Sequence, residues 1–273
     1  MVMGDGALRF AYETLLGRTL WPVLFGSGIC SAILGRRYDS RRSRKAIGRL
    51  ASIPGCRAEE AEKPVAAYES FNEFFTRRLK PGVRQIGEGV VSPADGRLML
   101  YLGAAADRPF PLKGAKRSLR EVFEKTAEGL FDIVVVRLAP VDYHRFHFPC
   151  DCRTDGAPRR IRGKYHSVNP IALLRRPDVY ATNERAIQKL ETSFGPLWMV
   201  EVGAFGVGSI VQTCEGTAHA KGDEKGYFKF GGSTVILVAK AGALRFDEDL
   251  VRNSAAGDET RVFMGERIAV QAK

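Results

Sequence analysis

Ser233 sits in an unusual setting for a serine, behind Gly231-Gly232 and ahead of Thr234-Val235-Ile236-Leu237-Val238. The stretch from Tyr227 to Val238 reads as a β-strand interrupted by Gly-Gly-Ser-Thr. Glycine in a strand interior loses backbone entropy and packs nothing, so two together call for a reason. A hydrolase nucleophile would occupy a G-x-S-x-G elbow between strand and helix, whereas Gly-Gly-Ser-Thr-Val leads into a strand. A Gly-Ser peptide offers other chemistry. In a strained turn the hydroxyl can attack the preceding carbonyl and turn the amide into an ester. If a base then removes the α-proton, the ester eliminates to dehydroalanine, which hydrolyses to a pyruvoyl group at a new N-terminus. The usual base for a serine hydroxyl is a histidine oriented by a carboxylate.

Histidines and carboxylates are available in two places. Asp142-Tyr-His-Arg-Phe-His-Phe-Pro-Cys-Asp-Cys152 holds His144 and His147, two of the four histidines, with Cys150 and Cys152. Zinc binding by these four is disfavoured, because an extended strand points His144 and His147 to opposite faces and no second ligand pair has finger-like spacing. Ser92-Pro-Ala-Asp-Gly96 places Asp95 in a turn, which is an ordinary structural home for aspartate. The glycine-rich run from Phe194 to Ile210 has a β pattern with no helix after it, so it reads as strand packing and turns, not as a nucleotide fingerprint.

These residues need a scaffold, and the pattern supplies one. Phe131–Ala139, Leu197–Phe205, Thr234–Ala239 and Arg261–Val270 are rich in Val, Ile and aromatics between turn residues. Asn183–Leu190 could hold a helical turn or two. Ser70-Phe-Asn-Glu-Phe-Phe-Thr-Arg-Arg-Leu-Lys80 predicts a short helix, with a capping-box start at Ser70 and Glu73 and with Phe71, Phe74 and Phe75 on one face. Pro81-Gly82 ends it, so a boundary falls near residue 80. The expected fold is α+β: a mainly antiparallel, sandwich-like β core over 81–273 behind a helical N-terminal region over 1–80.

That N-terminal region differs in texture. Residues 19–34 carry no charge, and the basic residues Arg36, Arg37, Arg41, Arg42, Arg44 and Lys45 follow. The run is short for a bilayer span and is weakened by Pro22, Gly26 and Gly28, so an interfacial position beside anionic head groups is expected. The alternative is a core helix followed by a solvated basic face. The chain as a whole has 42 Lys+Arg against 31 Asp+Glu, a net charge of +11, which favours an anionic partner. No nucleic-acid module surrounds the basic run. Five unevenly spread cysteines argue against a disulfide framework and fit a reducing compartment.

Taken in order, Ser70–Lys80, Ser92–Gly96, Asp142–His147, Val202–Ile210 and Lys221–Thr234 resemble the phosphatidylserine decarboxylases, a family of pyruvoyl-dependent enzymes. The resemblance spans roughly residues 68 to 240. It implies a self-processing triad of Asp95, His147 and Ser233, and cleavage between Gly232 and Ser233. Ser233 would become the pyruvoyl cofactor, and His144 would act in the mature active site. It further implies decarboxylation of phosphatidylserine to phosphatidylethanolamine with no metal and no dissociable cofactor, peripheral membrane attachment on the cytoplasmic face, and a homodimer of processed chain pairs. Three other readings stand beside it. They are a serine hydrolase using Asp95, His147 and Ser233 uncut, a related pyruvoyl decarboxylase of another amino acid, and a non-catalytic membrane-binding β-domain.

Overall fold

The computed structural model describes residues 6, 10, 14, 16–17, 28–109, 117–123, 128–206 and 210–272. Most of the uncharged run (19–27) and part of the glycine-rich run (207–209) lie outside them. The described helices are short: α1 (Gly28–Asp39), α2 (Ile47–Ala51), α3 (Phe71–Phe75), α4 (Leu119–Phe123), α5 (Pro170–Arg175), α6 (Val179–Thr182) and α7 (Glu248–Ala256). No helix among the described residues is long and apolar enough to cross a membrane. In chain order the strands are β1 (Val90–Val91), β2 (Gly96–Ala105), β3 (Leu130–Leu138), β4 (Arg145–His147), β5 (Cys152–Thr154), β6 (Arg159–Ile161), β7 (Arg185–Thr192), β8 (Gly195–Gly206), β9 (Ile210–Gln212), β10 (Ala218–His219), β11 (Glu224–Phe228), β12 (Gly231–Lys240), β13 (Leu244–Phe246), β14 (Thr260–Val262) and β15 (Arg267–Gln271).

The main sheet runs β10-β5-β7-β8-β12-β3-β2-β14, with β6 also on β7, and its strand pairs are antiparallel. Strand β12 is near its middle, which explains the unbroken apolar run Val235–Val238. Val235 and Leu237 enter the core on one face of the sheet, and Ile236 and Val238 enter a second core on the other. Two three-stranded sheets, β1-β15-β13 and β4-β11-β9, send Val90, Phe246, Ile268, Phe146 and Phe228 into the first core. Helices α4 and α6 cover the second face. The result is a mainly antiparallel β protein with few helices, as the α+β expectation had it.

Four local expectations change. The stretch Tyr227–Val238 is not one interrupted strand. Strand β11 belongs to a small sheet and β12 to the main sheet, so the glycines lie where the chain crosses between sheets. Arg261–Val270 likewise divides into β14 and β15, in different sheets. Asn183–Leu190 holds most of strand β7, because partners on both sides, β8 with β5 and β6, outweigh its local propensity. Helix α3 does start at the Ser70 cap, whose Oγ accepts from Glu73 N at 3.2 Å, but it stops at Phe75. Phe71, Phe74 and Phe75 anchor a third cluster with Ile47, Leu50 and Tyr68, and Phe230 and Val141 pack on it.

One polar cluster stands out in the first core. Lys225 of β11 and Glu201 of β8 are both fully buried, with Nζ 2.9 Å from Oε1. Gln212 completes it, accepting from Lys225 Nζ at 3.0 Å and donating to Glu201 Oε2 at 3.1 Å. Burial pushes the Glu201 carboxyl up and Lys225 opposes that. The cluster ties the strand leading to Ser233 onto the strand that Ser233 pairs with. Lys225→Met leaves a buried carboxylate without its cation and is expected to destabilise the fold by about 3 to 5 kcal/mol in urea denaturation. Adding Glu201→Leu and Gln212→Leu should recover most of that loss.

Candidate active site

Ser233 is fully buried in β12, paired with Leu138 of β3 on one side and Gly203 of β8 on the other. On the β8 side the register shifts. Gly231 pairs with Gly206 but Ser233 with Gly203, so β8 has one extra residue opposite Gly232. This bulge interrupts the ladder at the Gly232–Ser233 peptide, in the way that bulges commonly re-aim groups beside active sites. Gly231 itself has φ of +156°, open to glycine and strained for other residues.

Above Ser233 stands His144. Its Nδ1 is 3.1 Å from Ser233 Oγ and its Nε2 is 3.0 Å from the carbonyl oxygen of Ala139. A carbonyl only accepts, so Nε2 carries the hydrogen and Nδ1 offers its lone pair to the serine hydroxyl. The ring stacks on Phe75 at 3.9 Å. Complete burial lowers its pKa to about 3, opposed by the Ala139 hydrogen bond, so the imidazole is neutral and its Nδ1 lone pair is unprotonated. Asp142 holds the Ala139 end of this contact in place. Its Oδ2 accepts from Ala139 N at 2.6 Å, and Arg261 Nη1 lies 2.7 Å from its Oδ1 as an ion pair off hydrogen-bonding alignment. Burial raises the Asp142 carboxyl, with Arg261 pulling the other way.

Asp95 and His147 occupy an adjoining region. Arg84 grips Asp95 with two bonds, Nη2 to Oδ2 at 2.6 Å and Nε to Oδ1 at 3.2 Å, and also reaches Glu60 at 2.9 Å. Met264 N donates to Asp95 Oδ1 at 2.8 Å. His147 Nδ1 donates to the Gly222 carbonyl at 2.9 Å, and its Nε2 accepts from Tyr143 Oη at 3.1 Å. Burial lowers the His147 pKa, opposed first by the bond to the Gly222 carbonyl, then by the Glu224 charge and last by Asp95. The structure therefore brings His144 to Ser233. Among the described contacts, no hydrogen bond joins Asp95 to His147 or His147 to Ser233. The two rings part because His144 lies in the turn before β4 while His147 is the last residue of that strand. Beside His147 opens a cleft of about 560 Å³ whose lining includes Arg78, Lys80, Arg84, Tyr143 and Glu224. Among the described residues no three His, Cys, Asp or Glu side chains converge as metal ligands.

The sequence profile of the phosphatidylserine decarboxylase family matches residues 71–270. The chain belongs to the phosphatidylserine decarboxylase family. It is 42% identical to the phosphatidylserine decarboxylase proenzyme of Chlamydia pneumoniae over 97% of this chain and 90% of that one. The proenzyme of Ruminiclostridium cellulolyticum is 40% identical, covering 98% and 92% of the two chains. That of Fusobacterium nucleatum is 38% identical, covering 97% and 91%. The region matched to the phosphatidylserine decarboxylase family contains Asp95, His144, His147, Gly232 and Ser233, and leaves out the uncharged run and the basic cluster.

Sequence reasoning did not single out Asp142, Tyr143 or Arg84. Asp142 and Tyr143 stand in the motif that supplied the histidines, and a carboxylate just ahead of a histidine was the available signal. Arg84 lies in no motif, and only the folded chain brings it to Asp95. Burial of His144 also has a consequence for stability. Folded, it stays neutral down to about pH 3; unfolded, it takes a proton near its ordinary value of 6.5. Between these values the unfolded chain binds more protons, so this contribution is full above pH 6.5 and is lost as pH falls toward 3. Melting temperature should drop through that window, and His144→Gln should flatten part of the slope.

Proposed function

We propose that this chain is the proenzyme of a pyruvoyl-dependent phosphatidylserine decarboxylase, which cuts itself between Gly232 and Ser233 and then converts phosphatidylserine to phosphatidylethanolamine and carbon dioxide. The observation that carries the reading is the 3.1 Å contact of the neutral His144 Nδ1 with Ser233 Oγ, in a chain whose relatives bear the name proenzyme. Ser233 Oγ gives its proton to His144 Nδ1 and bonds to the Gly232 carbonyl carbon. The C–N bond breaks, the amine of residue 233 takes the proton, and an ester remains. Loss of the α-proton of residue 233 then expels the Gly232 carboxylate. The dehydroalanine left behind takes up water and releases ammonia. The site fits this group: its precursor is preceded by glycine, lies at a bulge and is closed off from solvent.

A pyruvoyl group at position 233 would supply a ketone that takes up the substrate amine and accepts the electron pair left by departing carbon dioxide. His144 Nδ1 is the chain's own group for returning a proton beside position 233. Asp95 holds the amide of Met264, and so joins the long product chain to the short one across the cut. In this reading Asp95 and His147 shape and support the site, whereas the resemblance itself implies that Asp95, His147 and Ser233 are the self-processing triad. The exposed cations Arg78 and Lys80, on the rim of the cleft beside His147, suit the phosphate of the head group. Residues 1–80 form the membrane-associating part and 81–273 the catalytic part. Support for this division is the uncharged run followed by basic residues, which are each worth about 1 kcal/mol at an anionic surface. The reading extends to a peripheral position on the cytoplasmic face and a homodimer of processed pairs.

Intact mass spectrometry tests the cut. The wild-type chain should appear as two pieces, the shorter beginning at residue 233 and resistant to N-terminal sequencing, while Ser233→Ala remains whole. A split Ser233→Ala chain would defeat the reading, as would an uncut wild-type chain that consumes phosphatidylserine. For the head-group cleft, Arg78→Ser with Lys80→Ser is expected to raise KM for phosphatidylserine in detergent micelles by roughly tenfold with a smaller effect on kcat.

A further inference from the structure

The chain reaches Ser233 from β11 through Lys229 and Phe230, and both are held by residues far away in sequence. Asn72 of α3 is 3% exposed. Its Oδ1 accepts from Phe230 N at 2.9 Å, and its Nδ2 donates to Asp39 Oδ1 at 2.9 Å. Asp39, the last residue of α1, uses its other oxygen to bind Lys229 Nζ at 3.0 Å. The Phe230 ring is enclosed by Tyr38 at 4.5 Å, Phe71 at 4.9 Å and Phe75 at 5.1 Å. Phe75 is also the ring on which His144 stacks. One small assembly therefore holds the base and the chain on the N-terminal side of the bond to be cut.

This arrangement matters because only Gly231 and Gly232 separate Phe230 from Ser233. Two glycines sample far more backbone states than other residues, so by themselves they leave free the φ of Ser233, which together with χ1 sets how Ser233 Oγ faces the Gly232 carbonyl carbon. Holding two reacting groups in place can account for several powers of ten in rate. Building on the self-processing reading above, we propose that Tyr38, Asp39 and Asn72 are positioning residues for self-cleavage, fixing Phe230 so that the diglycine presents its carbonyl to the serine. Their task ends with the cut, since Phe230 and residue 233 then lie on different chains. It also makes the end of α1 part of the cleavage apparatus, although it precedes the region of family match.

A cell-free translation pulse followed by a chase reads the rate at which the short chain appears. Asp39→Ala and Asn72→Ala should slow cleavage at least tenfold, while decarboxylation per cut chain stays at the wild-type value. Asn72→Asp sets two carboxylates against each other and should also be slow. Combined with Asp39→Asn, which restores one amide and one carboxylate with their order exchanged, it should regain most of the rate. Cleavage of Asp39→Ala and Asn72→Ala at the wild-type rate would overturn the proposal. So would slow cleavage with an equal loss of turnover per cut chain and no recovery in the exchanged pair, which would mark a general defect in folding. An uncut wild-type chain, or a cut Ser233→Ala control, sinks the self-processing reading itself; a cut wild type with unaffected clamp variants sinks the positioning alone.

Discussion

A serine hydroxyl loses its proton only to a partner with a lone pair available, and the hydrogen bond between Ser233 and His144 depends on that pair staying on Nδ1. Three constraints keep it there. The Ala139 carbonyl takes the Nε2 hydrogen, Asp142 holds the Ala139 amide, and burial under Phe75 keeps a second proton off the ring. The first two come from the one turn between β3 and β4 and the third from α3, while strands β3 and β8 set the serine.

The same economy explains the polar groups in an otherwise apolar core. Lys225, Glu201 and Gln212 satisfy one another in a place where hydrocarbon would have packed with less risk, since a buried ion pair seldom stabilises more than a hydrophobic replacement of the same volume. What such a cluster offers is a single acceptable register. Strand β11 cannot slide along its neighbours without leaving a charge unpaired, and sliding would move the crossing that carries the glycines.

Much of this was legible in the sequence where local chemistry decides the outcome. The Ser70 cap, the phenylalanine face of α3 and the strands over Phe131–Leu138 and Val235–Val238 follow from capping and from apolar runs. Sheet membership was not legible. Nothing local distinguishes Tyr227-Phe228 from Val235-Ile236, yet they lie in different sheets, and β7 is a strand because of its neighbours. Within the site, residue types were readable but their partners were not. The difference between His144 and His147 comes from where β4 begins, and the grip of Arg84 on Asp95 comes from a loop path that no pattern encodes. Asn72 shows the same limit: an asparagine two positions past a helix cap looks like ordinary helix-start chemistry until Phe230 is placed beside it.

Strand β12 is flanked by β3 and β8 along its length, with residues 233 to 239 paired on both sides. In the proposed reaction the new chain end is therefore born inside a sheet, with no route out short of unfolding. A reactive group made there from the polypeptide's own serine can be neither exchanged nor replenished from solution. Each molecule is armed once. If that group is later reduced or trapped by a wrong amine, the cell's remedy is synthesis of a new protein, so the working life of the catalyst and that of its cofactor become the same quantity.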